Sequence, residues 1–325
     1  MQLPDALEFS APALHVWLTE HGFPAERLIP LGGDVSPRRY VRALSKNAGS
    51  AILAQYPAEV RPQAERFLRT SGLLEQAAIR VPNILASDVA NGLMLLEDLG
   101  SETLYEKAFG DHERRIWFER AGEILLKLRR IEPMALVALN PPLDGALLGR
   151  ELEQTWELFL LPCGLEQDPP LATDLRTAFE QICVALDEEA RVPCHRDYMA
   201  RNLVPLADDT LAVIDHQDLR LGPPGYDWAS LLNDSLFAPP QTESSLLEIA
   251  SALEVAPGSY RRAAVQRGFK AIGTFRAFAG RGSDRHLPLI APTLARALDH
   301  LGSLPEGVGL AGALRRHFER RDLLH

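Results

Sequence analysis

The chain has 325 residues, 46% hydrophobic and 24% charged, a composition that excludes a disordered or fibrous protein and suffices for two globular units or one bilobed unit. Its net charge of −10, with an isoelectric point near 5.4, excludes a general attraction for nucleic acid or an anionic membrane and mildly favours cationic partners. Cys163, Cys183 and Cys194 form neither a metal-type pair nor an even disulfide framework, which fits a reducing compartment.

Helical spacing predicts a short amphipathic helix from Pro12 to about His21. RLIPLGGDVSPRRYVRAL then predicts a strand at Leu28 to Leu31, a turn at Gly32-Gly33-Asp34 and a strand at Tyr40 to Leu44, and Ser50 to Tyr56 a third strand. From Pro62 to about Ala78 the apolar positions Ala64, Phe67, Leu68, Leu73 and Leu74 recur at helical spacing. VPNILAS and NGLMLLEDLG supply two more short strands, which close at Asp98-Leu99-Gly100. After that point the pattern is helical: His112 to Arg130, Arg150 to Leu161 and Leu171 to Leu186. A strand pair interrupts it, Leu203 to Leu206 and Leu211 to Ile214 around an Ala207-Asp208-Asp209 turn, before helices resume at Asp227. The expected architecture is α+β: a small sheet-rich lobe over residues 1–97 with one inserted helix, a hinge, and a larger helical lobe over residues 98–325. The start lacks a basic segment followed by a continuous apolar one, and no apolar run is long enough for a bilayer, so a cytoplasmic protein without a membrane partner is expected.

The chemistry concentrates in one stretch. HRDYMARN, residues 195–202, matches the kinase catalytic-loop pattern H-R-D-x-x-x-x-N, and TLAVIDHQD places Asp215 at the end of an apolar strand just beyond it. Phosphoryl transfer to a hydroxyl needs in-line positioning, divalent metal on the phosphate oxygens and a carboxylate that orients and deprotonates the acceptor. On that reading Asp197 is the base, and Asn202 and Asp215 are the metal ligands. The alternative, a turn aspartate and a strand-end aspartate, leaves the spacing unexplained. His195 suits a structural role in the loop, and Arg196 suits bracing the loop or a nearby carboxylate.

These motifs resemble the aminoglycoside phosphotransferase and choline kinase-like branch of the protein-kinase-like fold, which carries H-x-D-x-x-x-x-N followed by I-D-x-x-D/E, and a helix-capping aspartate matched here by Asp227 in GYDWASLLND. GGDVSPRRYVR, LMLLEDLG, HRDYMARNL…IDHQDLRLGPPGYDWASLL and QRGFKAIGTFRAF are similar to bacterial cytoplasmic sugar kinases of cell-wall recycling, which act on the anomeric hydroxyl of N-acetylmuramate and N-acetylglucosamine. The resemblance implies a bilobal fold with a small antiparallel-sheet lobe, ATP and Mg2+ as cofactors, and a small hydroxyl-bearing substrate, an amino sugar. A monomer or weak dimer is expected, and the resemblance implies adenine contacts from the backbone around Glu97 and Leu99. Phosphorylation of another hydroxyl compound such as an aminoglycoside, or a non-catalytic nucleotide-binding role, stands as the alternative.

Two features depart from the protein-kinase pattern. The third strand, AILAQYP, has no lysine to reach the phosphates, and LGGDVSPRRY is not G-x-G-x-x-G. Arg38 or Arg39, just past the Gly33 turn, is expected to replace the lysine, since arginine pairs well with phosphate oxygens; a solvated strand face is the other reading. Gly33 itself lets backbone approach phosphate, or simply turns a hairpin. Glu65 on the inserted helix either pairs with one of these arginines or lies on the surface. For the acceptor, RELEQTWELF offers Glu151 and Trp156, a carboxylate and an aromatic suited to a sugar ring, unless Trp156 is core. Asp218 is expected to support metal or the loop, and Arg276 to meet an acidic substrate.

Overall fold

The computed structural model describes residues 11–32, 37–107, 109–234 and 236–324. The small lobe is a five-stranded antiparallel sheet in the order β1-β2-β3-β5-β4. Its strands are β1 (Arg27–Leu31), β2 (Arg39–Ser45), β3 (Gly49–Gln55), β4 (Ile84–Asp88) and β5 (Leu93–Glu97). Side chains alternate across the sheet, and each face has its own helix. Helix α1 (Ala11–Glu20) sends Leu14 and Leu18 onto Val41, Ala43, Ala51, Leu53, Leu93 and Leu95. Helix α2 (Pro62–Gln76) covers the other face, where Ala64 and Phe67 meet Ala54, Tyr56, Met94 and Leu96, with Tyr40 and Ile52 alongside.

This alternation decides which arginine faces inward. Arg38 and Arg42 share the side of Tyr40, Ile52 and Ala54. Arg39 pairs with Gln55 on the side of Val41 and α1. Ala54, the cleft-side position of β3, is fully buried beneath α2, so the missing lysine leaves a small apolar residue in its place.

The large lobe is helical, with α3 (Asp111–Leu128), α4 (Pro133–Val137), α5 (Gly145–Thr155) and α6 (Pro169–Asp187) followed by α7 (Tyr226–Asn233) and α8 (Pro240–Ala252). Then come α9 (Pro257–Gly280), α10 (Ile290–Gly302) and α11 (Leu310–Glu319). Two small ribbons lie between α6 and α7: β6 (Val192–Cys194) pairs with β9 (Arg220–Gly222), and β7 (Leu203–Pro205) with β8 (Leu211–Val213). The second is the expected strand pair. The first escapes a periodicity search, because three residues carry no readable alternation and the partners are far apart in sequence.

Helix α9 runs through the lobe against α5 and α10. It gets close through glycine: a Cβ on Gly273 would sit 2.9 Å from Thr155 Cα, and one on Gly268 2.9 Å from Ala297 Cβ. Thr155 Oγ1 also donates to Phe269 O at 2.6 Å. Among the described residues no helix is long and apolar enough to cross a membrane.

Candidate active site

The catalytic loop is built outward from a buried carboxylate. Asp227, in the first turn of α7, accepts the backbone N–H of His195 at 2.6 Å, that of Arg196 at 3.0 Å and the Cys194 thiol at 3.2 Å. Burial raises its carboxyl above the ordinary range even against these donors. His195 is fully buried, and its Nε2–H donates to Ile214 O at 3.2 Å, which ties the loop to the strand end that carries Asp215. Arg196 takes a left-handed φ of 78°, a conformation that disfavours a side chain. Its guanidinium holds the geometry by bridging Glu151 at 2.7 Å and Asp218 at 3.1 Å.

With the loop so fixed, Asp197 faces α9. Its carboxylate accepts from Lys270 Nζ at 2.8 Å and meets Arg267 Nη1 at 3.4 Å. Burial works against its charge, but Lys270, Arg196 and Arg267 outweigh burial and hold the carboxyl well below the usual range. Asn202 donates its amide N–H to Asp197 O at 2.8 Å, which leaves the amide oxygen, the atom a hard cation takes, outside that bond. Asp215 also has a left-handed φ, 61°, and its Oδ1 accepts from Arg38 at 2.8 Å and Gln217 at 3.0 Å.

These groups share one cleft of about 640 Å³ between the lobes. Arg38, Tyr40, Ile52 and Leu96 form its sheet side, with Glu97 and Leu99 at the hinge and Asp197, Asn202 and Asp215 beneath. Arg42 clasps the hinge, reaching Asp98 at 2.7 Å and Gly100 O at 2.9 Å. The far wall is α9 and the segment after it: Arg267, Lys270, Phe275 and Phe278, then Arg285 and His286. The two oxygen donors Asn202 and Asp215 suit Mg2+, and among the described residues no cluster of three or more His, Cys, Asp or Glu forms a closed metal cage. Such a pair fits an ion that shares its remaining positions with substrate phosphate and water.

Other expected residues lie elsewhere. Gly33 falls outside the described residues. Arg39 lies on the α1 side of the sheet. Glu65 is exposed on α2. The acceptor expectation for Glu151, Trp156, Asp218 and Arg276 is not where the cleft is. Glu151 and Asp218 are committed to Arg196, Glu151 also accepting from Gln266 at 3.0 Å. Trp156 is core, under the Arg176 guanidinium at 3.7 Å, and lines a separate cavity of about 350 Å³ between α5 and α6. Arg276 is exposed and donates to Leu158 O at 3.4 Å. Helix geometry explains it: Arg267, Lys270 and Thr274 at i, i+3 and i+7 share a face, which a residue two places on leaves. That stripe, two cations and a hydroxyl on one face of α9, is the signal by which Lys270 and Arg267 were findable from sequence.

Residues 27–265 match the family described as "Phosphotransferase enzyme family". The chain is 30% identical over 334 residues to the N-acetylmuramate/N-acetylglucosamine kinase of Pseudomonas aeruginosa, covering 94% of this chain and 97% of that protein. It is 29% identical to the enzyme of the same name from Pseudomonas putida, over 87% and 86% of the two chains. In fold it is similar to a choline kinase from Streptococcus pneumoniae, with a TM-score of 0.65 at 16% identity over 90% of this chain and 99% of that one. A spectinomycin phosphotransferase gives a TM-score of 0.65 at 12% identity over 95% and 100%. With this extent of match, and with a kinase-type loop whose aspartate, asparagine and second aspartate meet in one interlobe cleft, the chain belongs to the phosphotransferase enzyme family, whose members act on hydroxyl acceptors.

Proposed function

We propose that the protein uses ATP and Mg2+ to phosphorylate the anomeric hydroxyl of an N-acetylated amino sugar, N-acetylmuramate or N-acetylglucosamine, as cell-wall recycling requires. The observation that carries this is the wall opposite Asp197. It combines Arg267, Lys270 and Arg285 with the rings of Phe275 and Phe278, whereas the cleft's glutamates, Glu97, Glu102 and Glu106, belong to the hinge segment. Aromatic faces suit a sugar ring, and cations suit a neutral or anionic acceptor. A polycationic aminoglycoside would meet like charge there. The names of the Pseudomonas relatives support the same acceptor.

On this reading the nucleotide lies between a lobe of residues 1–97 and one of residues 98–325, with its adenine at the hinge backbone near Glu97 and Leu99. Arg38 pairs with the phosphates from the sheet side, in place of the absent strand lysine. Asn202 and Asp215 would hold Mg2+, which when bound neutralises charge on the phosphate oxygens. Asp197, kept ionised by Lys270 and Arg267, orients the acceptor hydroxyl toward the γ-phosphorus and takes its proton as transfer completes. A non-catalytic role would leave the joint placement of Asp197, Asn202, Asp215 and a cleft-facing arginine without purpose.

Phosphorus NMR of reactions with ATP, Mg2+ and each acceptor tests the reading. N-acetylmuramate or N-acetylglucosamine should give an acid-labile anomeric phosphate, the 1-deoxy sugar none, and Asp197→Asn should lower turnover by about 10²- to 10⁴-fold. Transfer to an aminoglycoside and to neither sugar would overturn it.

A further inference from the structure

The residue after the expected metal carboxylate has a use that the motif does not explain. His216 leaves the catalytic hairpin of the large lobe and is fully buried against α2 of the small lobe. Its Nδ1 lies 2.8 Å from Thr70 Oγ1, its Nε2 3.5 Å from Ser71 Oγ, and its ring is 4.3 Å from that of Phe67. Thr70 spends its one hydroxyl proton on helix carbonyls, Arg66 O at 2.9 Å and Phe67 O at 3.1 Å. The bond to His216 must therefore run from imidazole to hydroxyl, which fixes the proton on Nδ1 and leaves Nε2 to accept from Ser71.

The backbone between His195 and His216 is the point of this arrangement. Asp215 has a left-handed φ of 61°, which persists only where the surroundings over-determine it. On one side Ile214 donates to Asn202 O at 3.0 Å and accepts from His195 at 3.2 Å. On the other side the anchor is His216, and that anchor is in the other lobe. We propose that His216, held by Thr70, is a positioning residue that sets the Asp215 carboxylate for Mg2+ and makes the metal site depend on the seating of α2. The proposal rests on Asp215 being the metal carboxylate.

The test is the Mg2+ concentration that half-saturates ATP binding, read by calorimetry beside the affinity for adenosine, which needs no metal. Thr70→Val keeps the shape and removes the acceptor. It should raise the Mg2+ requirement by about tenfold, the effect of losing one buried hydrogen bond, and leave adenosine affinity unchanged. Thr70→Ser, which keeps the hydroxyl, should restore the parent value. Thermal unfolding confirms that each variant is folded; if Thr70→Val is not, Thr70→Ala replaces it. An unchanged Mg2+ requirement in a folded Thr70→Val or Thr70→Ala protein overturns the proposal while the role of Asp215 stands. A parent and an Asp215→Ala variant with the same Mg2+ requirement would overturn both.

Discussion

Arg38 and Arg39 are adjacent in sequence and point to opposite sides of one strand, and this decides between them. Arg38 is in the cleft with its guanidinium on Asp215, whereas Arg39 faces α1 across the sheet. A charge-assisted bond to phosphate contributes about 1.5–3 kcal/mol, so Arg38→Ala should weaken ATP binding roughly ten- to a hundredfold and leave adenosine binding alone. Arg39→Ala should bind ATP within about twofold of the parent, since it loses no phosphate contact. Equal losses in both variants, measured by calorimetry, would place the phosphate clamp elsewhere. Sequence could narrow the choice to two arginines because Arg-Arg-Tyr follows a turn. It could not choose, because the face on which a strand's side chains begin depends on its register with β3.

Between elements, charge pairs brace the loop in addition to its own hydrogen bonds. Glu151 on α5 is the clearest, with its side chain only 11% exposed and paired to Arg196. Burial alone would raise its carboxyl, but Lys270, Arg196 and Gln266 bring it below the ordinary glutamate range. A carboxyl lowered on folding adds stability that is complete above its unfolded value and disappears as pH falls through the lowered one. Glu151→Gln should thus cost about 1–3 kcal/mol in urea unfolding at pH 7, a cost that starts to shrink below the ordinary glutamate value of about 4.3 and vanishes only once pH is under the lowered one. A cost independent of pH would mean that shape, not charge, makes the contact. The same elements explain what sequence conceals. The catalytic loop is legible because its function fixes a local spacing. Glu151, Trp156 and Asp218 carry the right chemistry for a sugar site, yet α5 turns Glu151 toward Arg196 and leads Trp156 into the core, and the segment between β8 and β9 gives Asp218 to Arg196. Lys270 reaches Asp197 only because Gly268 and Gly273 let α9 approach its neighbours, a distance that no periodicity records.

Across the whole molecule, a bilobal α+β fold was readable, since strands gather in the first part of the chain and helices dominate the rest. What joins the lobes was not: Arg42 on the hinge, Arg38 on Asp215 and His216 on α2 are all contacts between segments distant in the chain. A protein of net charge −10 nonetheless lines its cleft with Arg38, Arg267, Lys270 and Arg285, set against carboxylates that include Glu97, Asp197, Asp215 and Asp234.

The cationic far wall also bears on how the reaction ends. Transfer gives the sugar a group of roughly −1.5 to −2 charges at neutral pH, so the wall that admits a neutral or singly charged acceptor grips the phosphorylated one harder. Product departure, rather than the chemical step, should then limit steady-state throughput. Salt screens such a grip: raising ionic strength from about 0.05 to 0.3 M shortens the screening length roughly from 14 to 6 Å. At saturating substrates the steady-state rate should rise about twofold over that range while the rate of a single turnover stays level or falls. A steady-state rate that falls with salt in step with the single turnover would show that the sugar phosphate leaves freely, and that the wall serves capture alone.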